Sequence, residues 1–124
     1  MRADRRRATD SREDPLIFIT ALFDVLPEHA DDWPEITRSF TEACNAEPGC
    51  QWFFWSRSVT DPHQYVLVEA FVDGDAGAVH VQSDHFKAAQ AELPRYLART
   101  PRIVSQDVAA DDWSELGEMA VDRG

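Results

Sequence analysis

Four histidines, two cysteines and a carboxylate set in an apolar run are the residues of this 124-residue chain whose types best suit chemistry. His80 and His85 lie five apart in DAGAVHVQSDHF, residues 75–86, beside Ser83 and Asp84. On a continuous helix five residues turn through about 140°. The two rings would then not share a face as an H-x-x-x-H metal pair does, and no metal site is expected. His85 follows Ser83, whose hydroxyl suits an N-cap, and a place in the first helical turn suits local packing. His80, between Val79 and Val81, reads in two ways. It is either a buried neutral imidazole satisfied by a backbone hydrogen bond, or a base, since free imidazole titrates at about 6.5. Glu69 sits inside QYVLVEAFV, where a carboxylate is seldom left unpaired. An ion pair across a hairpin to an arginine such as Arg57 is the expectation, and proton chemistry the alternative. Cys44 and Cys50 lack the paired Cys-x-x-Cys spacing of a zinc site. They are expected as reduced thiols, with a helix-to-strand disulfide as the alternative.

Charge narrows the partners. The net charge is -11, and residues 15–108 hold fourteen acids against six bases. Lys87 is the single lysine, so the clustered cations that bind nucleic acid or an anionic membrane are missing. No apolar run approaches the roughly 20 residues of a membrane helix. Residues 1–14 carry five arginines offset by four acids and no apolar stretch, which reads as a solvated arm rather than a leader. A cytoplasmic protein is expected.

The elements that must position these side chains follow from periodicity. PLIFITALFDVL, residues 15–26, reads as a strand ended by Pro27. Asp32 and Glu35 stand like a capping box before a helix in which Trp33, Ile36, Phe40, Ala43 and Cys44 recur at helical spacing. Glu47-Pro48-Gly49 stops it, the glycine expected to supply dihedrals that other residues avoid. CQWFFWSRSV and QYVLVEAFV form a hairpin about Asp61-Pro62. A short helix runs through His80, and a second, capped by Ser83, runs through Phe86, Ala89, Leu93 and Leu97, with Pro94 bending or shortening it. RIVSQDV, residues 102–108, is the last strand. In the acidic tail, residues 109–124, Trp113, Leu116 and Met119 or Ala120 suit one stripe of a short helix.

The order β-α-β-β-α-β is that of an α+β, ferredoxin-like domain over residues 15–108. Its strands are apolar on both faces: Trp52 and Phe54 oppose Phe53 and Trp55, and Val66 and Val68 oppose Leu67 and Phe71. Helices cover one face of such a sheet, so a second copy of the chain is expected on the other, giving a homodimer.

EPGC at 47–50, the Asp61-Pro62 turn, Glu69, and the string formed by Ala76, His80, Ser83, His85 and Phe86 resemble the antibiotic biosynthesis monooxygenase domain. That group of dimeric α+β barrels also includes quinol monooxygenases, autoinducer isomerases and haem-degrading enzymes. The resemblance implies oxidation of a quinol or aromatic polyketide-like substrate by molecular oxygen, with no metal, flavin or other cofactor. It implies His80 and Glu69 as catalytic residues, with Trp52, Phe54, Tyr65, Phe71 and His85 about the substrate. In the haem-degrading branch an iron-ligating histidine stands at the position matching Gln90, and a tryptophan at that matching His80, so haem is not expected. An autoinducer-type isomerase is the alternative enzyme, although its anionic substrate suits this acidic chain poorly. A non-catalytic dimer that binds a hydrophobic ligand is the alternative of another class.

Overall fold

A computed structural model describes residues 15–110 and 112–123; the expected N-terminal arm lies outside them. Strand β1 (Leu16–Asp24) occupies the middle of a four-stranded antiparallel sheet with β2 (Cys50–Arg57), β3 (Gln64–Phe71) and β4 (Arg102–Val108), in the order β2-β3-β1-β4. This is the split βαβ arrangement expected from the sequence. Register fixes which side chains share a face. Ile19 pairs with Glu69 and Ala21 with Leu67, while across the hairpin Phe53 pairs with Glu69 and Trp55 with Leu67. All of these face the helices, and Trp52 and Phe54 face away.

The first helical segment breaks in two, α1 (Trp33–Ile36) and α2 (Arg38–Asn45). Between them the buried Thr37 donates its hydroxyl to the Trp33 carbonyl at 2.9 Å, a local bond that competes with regular helix. The expected capping box does not form: Asp32 caps nothing with its side chain, and Glu35 pairs with Arg38 instead. Trp33, fully buried, anchors α1 against Phe23, Trp55 and Tyr65.

After β3 the chain forms α3 (Gly74–Gln82), capped by Asp73, which accepts from the Ala76 N–H at 2.8 Å. Helix α4 (Asp84–Glu92) follows, capped as expected by Ser83, whose Oγ accepts from the Phe86 N–H at 3.1 Å. The same hydroxyl donates to the His80 carbonyl at 2.7 Å, so one side chain closes α3 and opens α4. Pro94 limits the helix, which tightens to a 3-10 turn over Leu93–Tyr96. The tail departs from expectation. It forms only a 3-10 turn, Gly117–Met119, and Trp113 leaves any helical stripe to stack on Trp52 with ring centroids 4.7 Å apart.

Gly49 is required for a different reason from the one its turn suggested. Its backbone does not adopt the left-handed conformation; a Cβ there would stand 2.4 Å from the Ala76 Cβ. The glycine lets the turn before β2 lie flat on α3, where the Val72 N–H donates to the Gly49 carbonyl at 2.9 Å. Gly49→Ala is therefore expected to destabilise the fold by roughly 1–3 kcal/mol, the usual cost of overpacking. Urea unfolding checks this, and an unchanged midpoint would contradict the contact.

Candidate active site

Four elements deliver a buried polar cluster under the helices. Helix α2 carries Cys44 in its last turn, and the turn after it is closed by Glu47 N–H to the Cys44 carbonyl and by Cys50 N–H to the Glu47 carbonyl. That turn projects the Glu47 side chain inward, only 8 % exposed. Glu47 Oε2 lies 2.9 Å from His80 Nδ1 and 2.5 Å from His85 Nε2. The opposite nitrogen of His80, Nε2, faces Glu69 Oε1 at 3.7 Å. That is too long for a hydrogen bond, and Glu69 Oε1 is left buried with no partner among the described residues.

The two histidines converge, contrary to the expectation drawn from an unbroken helix. The chain turns at Ser83 between α3 and α4, so the 140° separation does not apply, and the ring centroids come to 6.3 Å. The reason for setting a shared metal aside is thereby removed. His80 is buried, 4 % exposed, among Phe71, Phe86 and Phe53. His85 is partly exposed and lines a cavity of about 530 Å³ between α2 and α4, with Ile36, Phe40, Leu93 and Tyr96 among the walls. An adjoining apolar cavity of about 350 Å³ shares Phe40, Ala89 and Leu93 and includes Gln90. Among the described residues, His85 Nδ1 makes no hydrogen bond.

Burial, and then repulsion from Glu47, pushes the Glu69 carboxyl up to about 7. Burial foremost, followed by the nearby Glu47 and Glu69, also raises both thiols, Cys50 to about 12 and Cys44 further. Both cysteines are free, as expected, and the alternative disulfide does not form.

Glu69 does not pair with Arg57. That guanidinium instead meets Asp31 at 2.9 Å, donates to the Pro62 carbonyl at 2.7 Å, and lies over the Tyr65 ring. The strand register accounts for this, because Arg57 pairs with Tyr65 while Phe53 stands opposite Glu69. The aromatics expected about a substrate separate in the same way. Trp52 and Phe54 point to the outer face, against Phe18 and Trp113, and cannot share a chamber with His80. Tyr65 is buried and donates its hydroxyl to the Ala30 carbonyl at 2.9 Å. Phe71 packs on His80, with centroids 4.8 Å apart. Glu47 went unrecognised in sequence because it sits in a Pro-Gly turn. Its signal was the EPGC string, which was read as a helix stop and a family marker without a role for the glutamate side chain.

A four-stranded antiparallel sheet roofed on one face by helices, with paired imidazoles and carboxylates beneath the roof, defines an α+β domain with a buried cluster of titratable side chains. The family model for antibiotic biosynthesis monooxygenase matches residues 16–92, and the chain belongs to that family. Solved structures share the fold. A Caulobacter crescentus protein, provisionally named an antibiotic biosynthesis monooxygenase, is 28% identical, with TM-score 0.73, over 78% of this chain and 92% of that one. A conserved Methanosarcina mazei protein is 23% identical, with TM-score 0.72, over 78% and 96%. A Nitrosomonas europaea protein of the same provisional name is 22% identical, with TM-score 0.71, over 76% and 90%. No curated protein matches significantly. No helix among the described residues is long and apolar enough to cross a membrane.

Proposed function

We propose that the chain is a cofactor-independent monooxygenase of a quinol or aromatic polyketide-like compound. The observation that carries this reading is an imidazole held by a buried carboxylate at the wall of a largely apolar cavity. Oxygen reacts sluggishly with a neutral phenol, whereas a phenolate donates an electron directly, so proton removal is the step that protein groups can accelerate. When His85 Nε2–H donates to Glu47, the ring keeps its lone pair on Nδ1, the nitrogen without a protein partner. That nitrogen takes the phenolic proton. His80 and Glu69, expected in sequence as the catalytic pair, touch no cavity among those described; His80 stands behind Glu47 and holds its orientation, and Glu69 lies beyond His80. Phe40 and Tyr96 offer stacking surface, and the apolar walls keep water from the phenolate. The substrate supplies the four electrons that turn one oxygen molecule into an inserted oxygen atom and one water.

The described walls of the larger cavity include one acid, Glu92, and no lysine or arginine, which suits a neutral aromatic better than a phosphorylated ketone. Oxygen uptake across a panel of hydroquinones and hydroxylated polycyclic aromatics, with chelator present, tests the reading. Uptake with formation of an oxygenated product supports it. Thermal stabilisation by those compounds without uptake would leave a ligand-binding protein in its place.

A homodimer belongs to the same proposal. On the outer sheet face Phe18, Leu22, Val66, Val68 and Trp52 are only half-buried, and Phe54 and Val104 are exposed. A face this apolar is costly in water. Sheet-to-sheet pairing with a second copy would bury on the order of 1,000 Å² or more. Sedimentation at micromolar concentration is expected to give twice the chain mass, with Phe54→Asp shifting the protein to monomer. A wild-type monomer would end this part of the proposal.

A further inference from the structure

The buried cluster offers more than an acid–base pair. Cys44, Glu47, His80 and His85 each present one ligand atom, and these atoms all lie within 4.8 Å of one another. Around tetrahedral zinc, bond lengths of about 2.0–2.3 Å place ligand atoms roughly 3.3–3.8 Å apart, so a small outward movement from Glu47 would admit an ion. Two anionic ligands, a thiolate and a carboxylate, with two neutral imidazoles would leave a divalent centre neutral, which a buried site favours.

An independent observation points the same way. Glu69 Oε1 is buried without a partner and aimed at His80 Nε2, 3.7 Å away. His80 Nδ1 lies 2.9 Å from Glu47 Oε2, and its opposite nitrogen faces Glu69. If Nδ1 instead binds a cation, the ring proton must sit on Nε2, where it points at the unpartnered oxygen. A ligating histidine backed by a carboxylate is the usual second contact of a metal-bound imidazole. Among the described residues, no lysine or arginine pairs with Glu47 or Glu69. A cation has its charge partners already placed.

We propose that Cys44 Sγ, Glu47, His80 Nδ1 and His85 Nε2 form a tetrahedral site for a zinc-like divalent cation, with Glu69 holding His80 from behind. Cys44 loses its proton to solvent as the ion binds. Partly exposed His85, at the cavity wall, marks the entry. The site shares Glu47, His80 and His85 with the proposed oxygenation but does not depend on it. Metal on His85 Nε2 fixes the ring proton on Nδ1 and removes the acceptor, so loading would silence that reaction rather than drive it.

Cobalt(II) added to the chelator-treated full chain tests the site without any substrate. One equivalent is expected to bind saturably, with the visible bands of tetrahedral cobalt and a near-ultraviolet thiolate charge-transfer band. Cys44→Ser should abolish the charge-transfer band, and His85→Gln, a change at a partly exposed residue that spares the core, should weaken binding severely. Glu69→Gln should keep the band and lower affinity about 10- to 100-fold. No saturable binding by the wild-type chain, or a spectrum indifferent to both Cys44→Ser and His85→Gln, would overturn the proposal. Oxygen uptake by the stripped protein separates this outcome from the fate of the monooxygenase reading.

Discussion

His85→Gln is expected to lower kcat/KM for oxygen consumption by roughly 10²- to 10⁴-fold, the range typical of losing a general base. Most of the loss should fall on kcat, because the walls that bind an aromatic ring, such as Phe40 and Tyr96, are untouched. Glutamine is the informative substitute, since its amide N–H can still donate to Glu47 while no lone pair of useful basicity remains. The melting temperature should change little, as His85 is partly exposed and makes its hydrogen bond to Glu47 alone. Glu47→Gln supplies the complementary test. It should weaken catalysis by loosening the tautomer and orientation of the ring, and its pH–rate profile should shift as well as fall. Wild-type turnover by His85→Gln would move the base elsewhere and remove the proton step on which the proposed reaction depends.

The second large effect concerns stability. Glu69 has a folded-state pKa of about 7 against an ordinary value of 4.5. A carboxyl whose pKa is raised by folding favours the folded state while it is protonated. That contribution is whole below about 4.5, declines between 4.5 and 7, and is gone above 7, where the fold must hold a charge it solvates poorly. The difference amounts to about 3 kcal/mol at 1.36 kcal/mol per pKa unit. Glu69→Gln has no such titration. Its unfolding free energy relative to wild type, measured with chelator present, should rise by that amount between pH 4.5 and pH 8. The groups facing Glu69 are Glu47, His80, Cys44 and Cys50, and none of the described neighbours is a lysine or arginine. Parallel stability curves for the two proteins across this range would show that folding does not raise the Glu69 pKa.

The fold was legible because its signals are local. Strand alternation gave both faces of the sheet, and the final strand falls at residues 102–108 as read. Ser83 as an N-cap was readable from one hydroxyl ahead of the helical spacing of Phe86, Ala89 and Leu93. What escaped was the meeting of residues distant in sequence. Glu47 lies 33 and 38 positions from the two histidines it joins, and nothing in a Pro-Gly turn announces that its side chain turns inward. The pairing of Glu69 with Arg57 failed for a simpler reason, since charge complementarity was weighed without register. The same neglect grouped Trp52 and Phe54 with Tyr65 and Phe71, although two-residue alternation puts them on opposite sides. The broken first helix was hidden because the apolar spacing of Trp33, Ile36 and Phe40 continues unbroken across Thr37.

The joint at Ser83 has a bearing on how such a chain can change. Because its hydroxyl ends one helix and begins the next, the two imidazoles are phased by separate cylinders and not by one winding of backbone. Inserting or deleting a residue before Asp73 would leave both rings in phase with each other. The same event between His80 and His85 would swing one ring about 100° around its own axis and break the triangle with Glu47. Five-residue spacing is thus a length fixed by the corner at Ser83, and lengthening that corner would part the two rings from the carboxylate they share.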